Sequence, residues 1–159
     1  SLRHARQSVL DVIDQTASKY SVHAERIVIA GYQGGGSMAL RLAMHHPEMF
    51  AAAISLGGGF ELPDEQQVDH QRVINRRLPM LWQRSLQSEL YDEDELVAQA
   101  KDAMSIRARL EIRQYQNDDE MNTAVLSDLD RWIMLHVVGG APVAKISPWD
   151  SSPTSFSDN

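Results

Sequence analysis

The chain has 159 residues, 43% of them hydrophobic, no cysteine and a formal net charge of −7. That length makes one globular domain, able to bury roughly 70% of its unfolded surface. The acidic balance argues against nucleic acid or an anionic membrane as the main partner, and the lack of cysteine excludes disulfides and thiolate chemistry. No run approaches the ~18 apolar residues of a membrane span, no secretory leader is visible, and a cytoplasmic setting is expected. The chain opens at Ser1 rather than Met, directly into a helical pattern, and reads as a processed or truncated product.

Over residues 2–20, Leu2, Ala5, Val9, Val12, Ile13, Ala17 and Tyr20 recur at three-to-four spacing, predicting an amphipathic helix that covers a sheet. Residues 21–25 are a turn into a short apolar strand, Ile27-Val28-Ile29-Ala30. After a run of glycines the pattern becomes helical, with Met38, Leu42 and Met44 beside Ala39 and Ala43 on a buried face. Residues 50–56 (FAAAISL) form a second buried strand closed by Gly57-Gly58-Gly59, and apolar runs without alternation fit parallel strands covered on both faces.

Residues 61–77 are polar and weakly periodic, an excursion over the sheet with a helix start expected at Pro63 and Asp64. A third strand is expected at 78–82 (LPMLW), with Pro79 confined to its beginning. Asp92 and Glu95 then form an N-cap pair for a helix through Met104, expected to bury Leu96, Val97, Ala100 and Met104. Residues 109–115 alternate Leu110, Ile112 and a tyrosine against charges, the pattern of a half-solvated edge strand. A last helix over 122–138 carries Val125, Leu129, Trp132, Ile133 and His136 on one side and ends at Gly139-Gly140 and Pro142. The Ser/Pro-rich stretch beyond does not fold alone, so the expected division is a domain over 1–143 and a tail over 144–159, extended or held by a partner. The alternation of elements predicts an α/β fold, with a mainly parallel sheet of about four strands and helices on both faces.

The turn after residues 27–30 is where chemistry is expected, because a strand bending sharply into a helix presents its middle residue beside unpaired amide groups. A nucleophile elbow needs G-x-S-x-G with serine at the apex, and here the five residues are Gly31-Tyr32-Gln33-Gly34-Gly35. The stretch Gly31-Tyr32-Gln33-Gly34-Gly35-Gly36-Ser37-Met38-Ala39, followed by His46-Pro47-Glu48-Met49-Phe50, resembles the carboxylesterase/thioesterase (phospholipase-like) branch of the α/β-hydrolases. That branch reads G-[FY]-S-Q-G-G-[AS]-M-A and then H-P-E-x-F. The resemblance covers most of residues 1–140, matches the second half of the family sheet, and implies that the family's first half is absent.

Carried over by this resemblance, Gln33 stands at the nucleophile position, Ser88 at the carboxylate position and Asp119 at the histidine position. Gly31 and Tyr32 frame the elbow, and Gly34 and Gly35 supply its oxyanion-side backbone. Acyl transfer needs a nucleophile, a base and a carboxylate that orients the base. An amide has no proton to lose for attack, a carboxylate with a pKa of about 3.9 is a poor shuttle near neutrality, and a serine cannot balance an imidazolium. The degenerate triad therefore implies an inactive homologue that binds or assembles. Two other readings stand beside it: an active carboxylesterase or acyl hydrolase with a displaced nucleophile, for which Ser37 is the candidate, and an anion- or nucleotide-binding module at the glycine-rich turn. Against the last, G-x-G-x-x-G is not matched and no Lys-Ser/Thr follows.

His45 and His46 fall at the end of the elbow helix, where they are expected to offset its dipole, and His136 is expected to be a satisfied, partly buried imidazole. No metal-binding spacing is present and no cofactor is expected. Trp82 and Trp132 are core candidates, and Trp149 a tail anchor. In the family fold the elbow strand is interior, so the strand at 27–30 would leave one hydrogen-bonding edge open. Another segment or chain is expected to cover it, within this polypeptide, a homo-oligomer or a larger complex.

Overall fold

A computed structural model describes residues 1–64, 68–87, 92–105, 109–116 and 121–139. Helix α1 (Leu2–Lys19) descends to a short 3-10 turn (Ala24–Arg26) that feeds β1 (Val28–Tyr32). Then follow α2 (Gly34–His45), β2 (Ala52–Leu56), α3 (His70–Arg76), β3 (Met80–Ser85), α4 (Glu93–Ser105), β4 (Leu110–Tyr115) and α5 (Thr123–Ile133), which runs on as a π-helical turn (Met134–Val138). The strands form one four-stranded sheet in the order β1-β2-β3-β4, and all three pairings are parallel. This is the α/β architecture expected from the alternation of elements.

Burial follows sheet position. The interior strand β2 is buried throughout, and so is β3, including its polar end Gln83, Arg84 and Ser85. Strand β4 is an edge, as its sequence pattern predicts, but its phase is reversed at the centre: Ile112 is exposed, while Glu111 and Arg113 are half-buried because they turn toward α5. On one face Leu40, Ala43 and Met44 of α2, Val73 of α3, and Leu96 and Ala103 of α4 close over Ala53, Met80 and Trp82, with Val9 of α1 packed at the margin. On the other, α5 alone covers Ala52, Ile54, Leu56 and Leu81 with Trp132, Leu129 and Ile133. Helices thus lie on both faces, in unequal number.

Several boundaries differ from expectation for local reasons. Helix α3 begins at His70, where the Asp69 side chain accepts the Arg72 N–H, and not at Pro63 or Asp64. Strand β3 extends past Trp82 to Ser85 because β4 continues to pair with it as far as Tyr115. In α4 the Asp92 cap is present, its Oδ1 accepting from the Glu95 N–H at 2.7 Å. The buried face of α4 is carried by Leu96 and Ala103, while Val97 and Met104 are 46% and 76% exposed. The sheet thus accepts a narrower stripe than the four residues Leu96, Val97, Ala100 and Met104 predict. Asn122 caps α5 through the Val125 N–H, and the Gly139 N–H closes the π turn on Met134 O. The tail from residue 144, Trp149 included, lies outside the described residues.

Candidate functional site

The β1–α2 turn lies at the carboxyl end of the sheet, beside the end of β2. Gln33 sits at its apex with φ 49° and ψ −122°, a conformation in which a side chain is strained. Its N–H reaches across to Leu56 O of β2 at 2.7 Å. The amides of Gly36 and Ser37 return to Gln33 O at 2.8 and 3.3 Å. The N–H groups of Gly34 and Gly35 therefore remain outside the helical ladder, as first-turn amides do, on an exposed surface. The turn is tight enough that two glycines are obligatory. A Cβ on Gly31 would enter the Gly35 backbone, and one on Gly36 would collide with Ser55 Oγ and approach Gly31 O and Leu56 N to 3.0 and 3.1 Å. The crowding at Gly36 was not foreseen from the motif, since its partner Ser55 comes from the next strand.

The apex side chain is half-buried, and its amide nitrogen makes only a long 3.5 Å contact with the hydroxyl of Tyr32, itself 43% exposed. Ser37 lies in the first turn of α2, half-buried, its Oγ facing the Gly58 backbone closely enough that a Cβ there would stand 2.8 Å away. Among the described residues no hydrogen bond joins Ser37 to a histidine. Ser88 and Asp119 lie outside the described residues.

Beyond the turn the strand ends carry a polar rim that sequence periodicity did not single out. Gly57 N–H donates to Gln83 O, and Leu86 N–H to Tyr115 O, each at 2.8 Å. The Trp82 indole N–H donates to Gly58 O, and Arg84 stands over the Trp82 ring at 5.8 Å. Gln83 Nε2 donates to the Tyr115 hydroxyl, which donates to Asp128 Oδ2 at 3.0 Å. Burial pushes the Tyr115 phenol up, and the Asp128 carboxylate pushes it further. The strand expected at 78–82 stops short of this rim, because Gln83, Arg84 and Ser85 are polar residues that the pairing with β4 carries into β3.

The histidines stand apart from the apex. His45 lies in the last turn of α2 and His46 caps it, where they were expected. Burial lowers both, with Arg41 beside His45 and Arg6 and Arg72 beside His46 adding to it, which weakens their charge against the helix dipole. His136 stacks on Trp132 with ring centres 4.6 Å apart, partly buried as expected. Among the described residues no three His, Asp or Glu side chains are grouped to hold a metal ion, and no helix is long and apolar enough to cross a membrane.

A parallel sheet with helices on both faces and a strained strand–turn–helix at its carboxyl end defines the α/β-hydrolase class of architecture. The family model for Esterase, described as "Putative esterase", matches residues 3–134. The chain belongs to this esterase family. Among solved structures, SOBER1 of Arabidopsis thaliana superposes with a TM-score of 0.64 at 18% identity, over 84% of this chain and 63% of that one. The Bacillus cereus carboxylesterase gives 0.65 at 13% identity, over 83% and 60%. The S-formylglutathione hydrolase FrmB of Staphylococcus aureus gives 0.62 at 19%, over 86% and 62%. At these identities the likeness is one of fold, and the chain spans less than two thirds of each of these structures. No curated protein matches the chain by sequence.

Proposed function

We propose that this chain is a catalytically inactive member of the esterase family that acts as a binding or assembly subunit. The observation that carries the proposal is Gln33 at the apex, held at φ 49° and ψ −122°. The strained turn is kept while the side chain it presents is an amide, which cannot lose a proton to become a nucleophile. The resemblance, which puts Ser88 and Asp119 at the carboxylate and histidine positions, supports the same reading. Removing the nucleophile or the base from a hydrolytic triad costs on the order of 10⁶ in kcat, so a chain lacking both keeps little beyond binding.

The assembly role rests on β1. It stands at the end of the strand order. Because Gln33 N–H and Ile27 O face β2, strand alternation turns the amides and carbonyls of Val28, Ala30 and Tyr32 outward. No proline or charge guards that edge, and beside it an apolar groove of about 420 Å³ runs between α1 and β1, lined by Val9, Val12, Ile13 and Ile27 among others. Another segment or chain covers this edge in our reading, residues 1–143 being the domain that receives it and 144–159 the appended tail. The cytoplasm is the compartment we assign.

Hydrolysis of p-nitrophenyl acetate and of an acyl thioester tests the proposal. The expected rate equals the buffer blank. A saturable rate that disappears in Ser37→Ala would instead establish an active enzyme with a displaced nucleophile.

A further inference from the structure

The opposite end of the sheet, where the strands begin, carries charge of the wrong sign for this protein. The whole chain bears −7, yet a cleft of about 940 Å³ there is rimmed by Arg76, Arg77, Arg109 and His136, with Glu25 the carboxylate among its described lining residues and Glu111 behind His136 at 3.9 Å. Arg76 Nη2 donates to Phe50 O at 3.2 Å, and Arg109 Nη2 meets His136 Nδ1 at 3.3 Å. An imidazole nitrogen that accepts from a guanidinium is unprotonated, so Arg109 is steadied by a neutral group. Burial and Arg109 itself both lower His136, in keeping with that tautomer. Arg41, Arg72 and Arg113 form ion pairs, whereas Arg76, Arg77 and Arg109 at the cleft form none among the described residues.

Arginines near helix ends often serve only to offset the helix dipole. That explanation is thin here. Helix α3 has seven residues, and Arg109 belongs to no helix but leads into β4. Arg77 is the more telling case. It caps α3 in the left-handed conformation, φ 49° and ψ 39°, its N–H shared between Val73 O and Ile74 O. Glycine is the usual residue at such a cap because a Cβ is disfavoured there. An arginine retained at that position places a guanidinium on the rim at a cost to the backbone.

We propose that this cleft binds a small molecule bearing a phosphate or pyrophosphate group, held by the guanidinium groups of Arg77 and Arg109 with Arg76 beside them. Guanidinium forks match phosphate oxygens in pairs, and the volume accommodates more than an inorganic ion. The site is separate from the glycine turn, which lies at the other end of the strands.

The test is calorimetric titration of the full chain with pyrophosphate at low salt, alongside thermal melting. Saturable binding that weakens with added salt is expected. Arg77→Gly should reduce affinity at least tenfold while leaving the melting temperature unchanged or higher, since glycine suits that backbone. Arg77→Gln, which keeps the backbone cost and removes only the charge, should lose the same affinity. No binding at millimolar pyrophosphate overturns the proposal. So does binding that both variants retain, which would move the anion to another site such as the glycine turn.

Discussion

At the scale of single residues, the turn at Gln33 stores strain at its apex. A side chain at φ 49°, ψ −122° costs about 1–3 kcal/mol, against roughly 0.5–1 kcal/mol of extra unfolded-state freedom when glycine replaces it. The amide's single 3.5 Å contact with Tyr32 returns almost nothing. Gln33→Gly should therefore stabilise the protein by about 1 kcal/mol, read as a higher urea midpoint at unchanged slope. A lower midpoint would mean that the glutamine makes an interaction at the apex strong enough to outweigh the strain. The sequence motif already located this residue, because glycine spacing reports backbone geometry directly. The crowding of Gly36 against Ser55 was illegible there, since it depends on a partner nineteen positions on, brought in by β1–β2 pairing.

At the scale of elements, what could be read in advance was periodicity, and what could not was contact. The edge character of β4 followed from its alternation. The parallel pairing of the strands followed from alternating helices and strands. The stripe of α4 that meets the sheet did not, because Leu96, Val97, Ala100 and Met104 are all apolar and only the neighbouring strands decide which of them are covered. The other edge, β1, makes a measurable claim. In the isolated chain the amides of Val28 and Ala30 should exchange with deuterium at least tenfold faster than those of Ile29, Gly31 and Gln33, which face β2. Addition of a partner that completes the sheet should slow the first set and leave the second unchanged. Equal exchange of the two sets in the isolated chain would show that the edge is not open.

At the scale of the whole molecule, buried imidazoles and a paired carboxylate set the response to acid. His45, His46 and His136 are all lowered from 6.5, burial being the largest cause in each. The unfolded chain therefore binds more protons than the native one as pH falls through that value, and stability must drop with it. Glu111 titrates later. Burial would raise its carboxyl, but Arg113 and the Trp132 indole N–H outweigh that and hold it below 4.5. Its contribution is present above that value and is lost as pH falls below it. Urea midpoints should thus decline in two stages, the first as pH falls through about 6.5 and the second as it falls below about 4.5. In Glu111→Gln the second stage should shrink and the first persist. A flat profile as pH falls through 6.5 would contradict the partial burial of these imidazoles.

The family and the fold were legible because the glycines of the turn and the apolar strand runs report backbone geometry directly. The central claim, that the apex no longer carries a nucleophile, is tested most directly by intact-mass spectrometry after exposure to a fluorophosphonate. The expected spectrum is that of the unmodified chain under conditions that fully label an active serine esterase. A stoichiometric phosphonyl adduct, mapped to Ser37 or any other hydroxyl of the chain, would contradict the account.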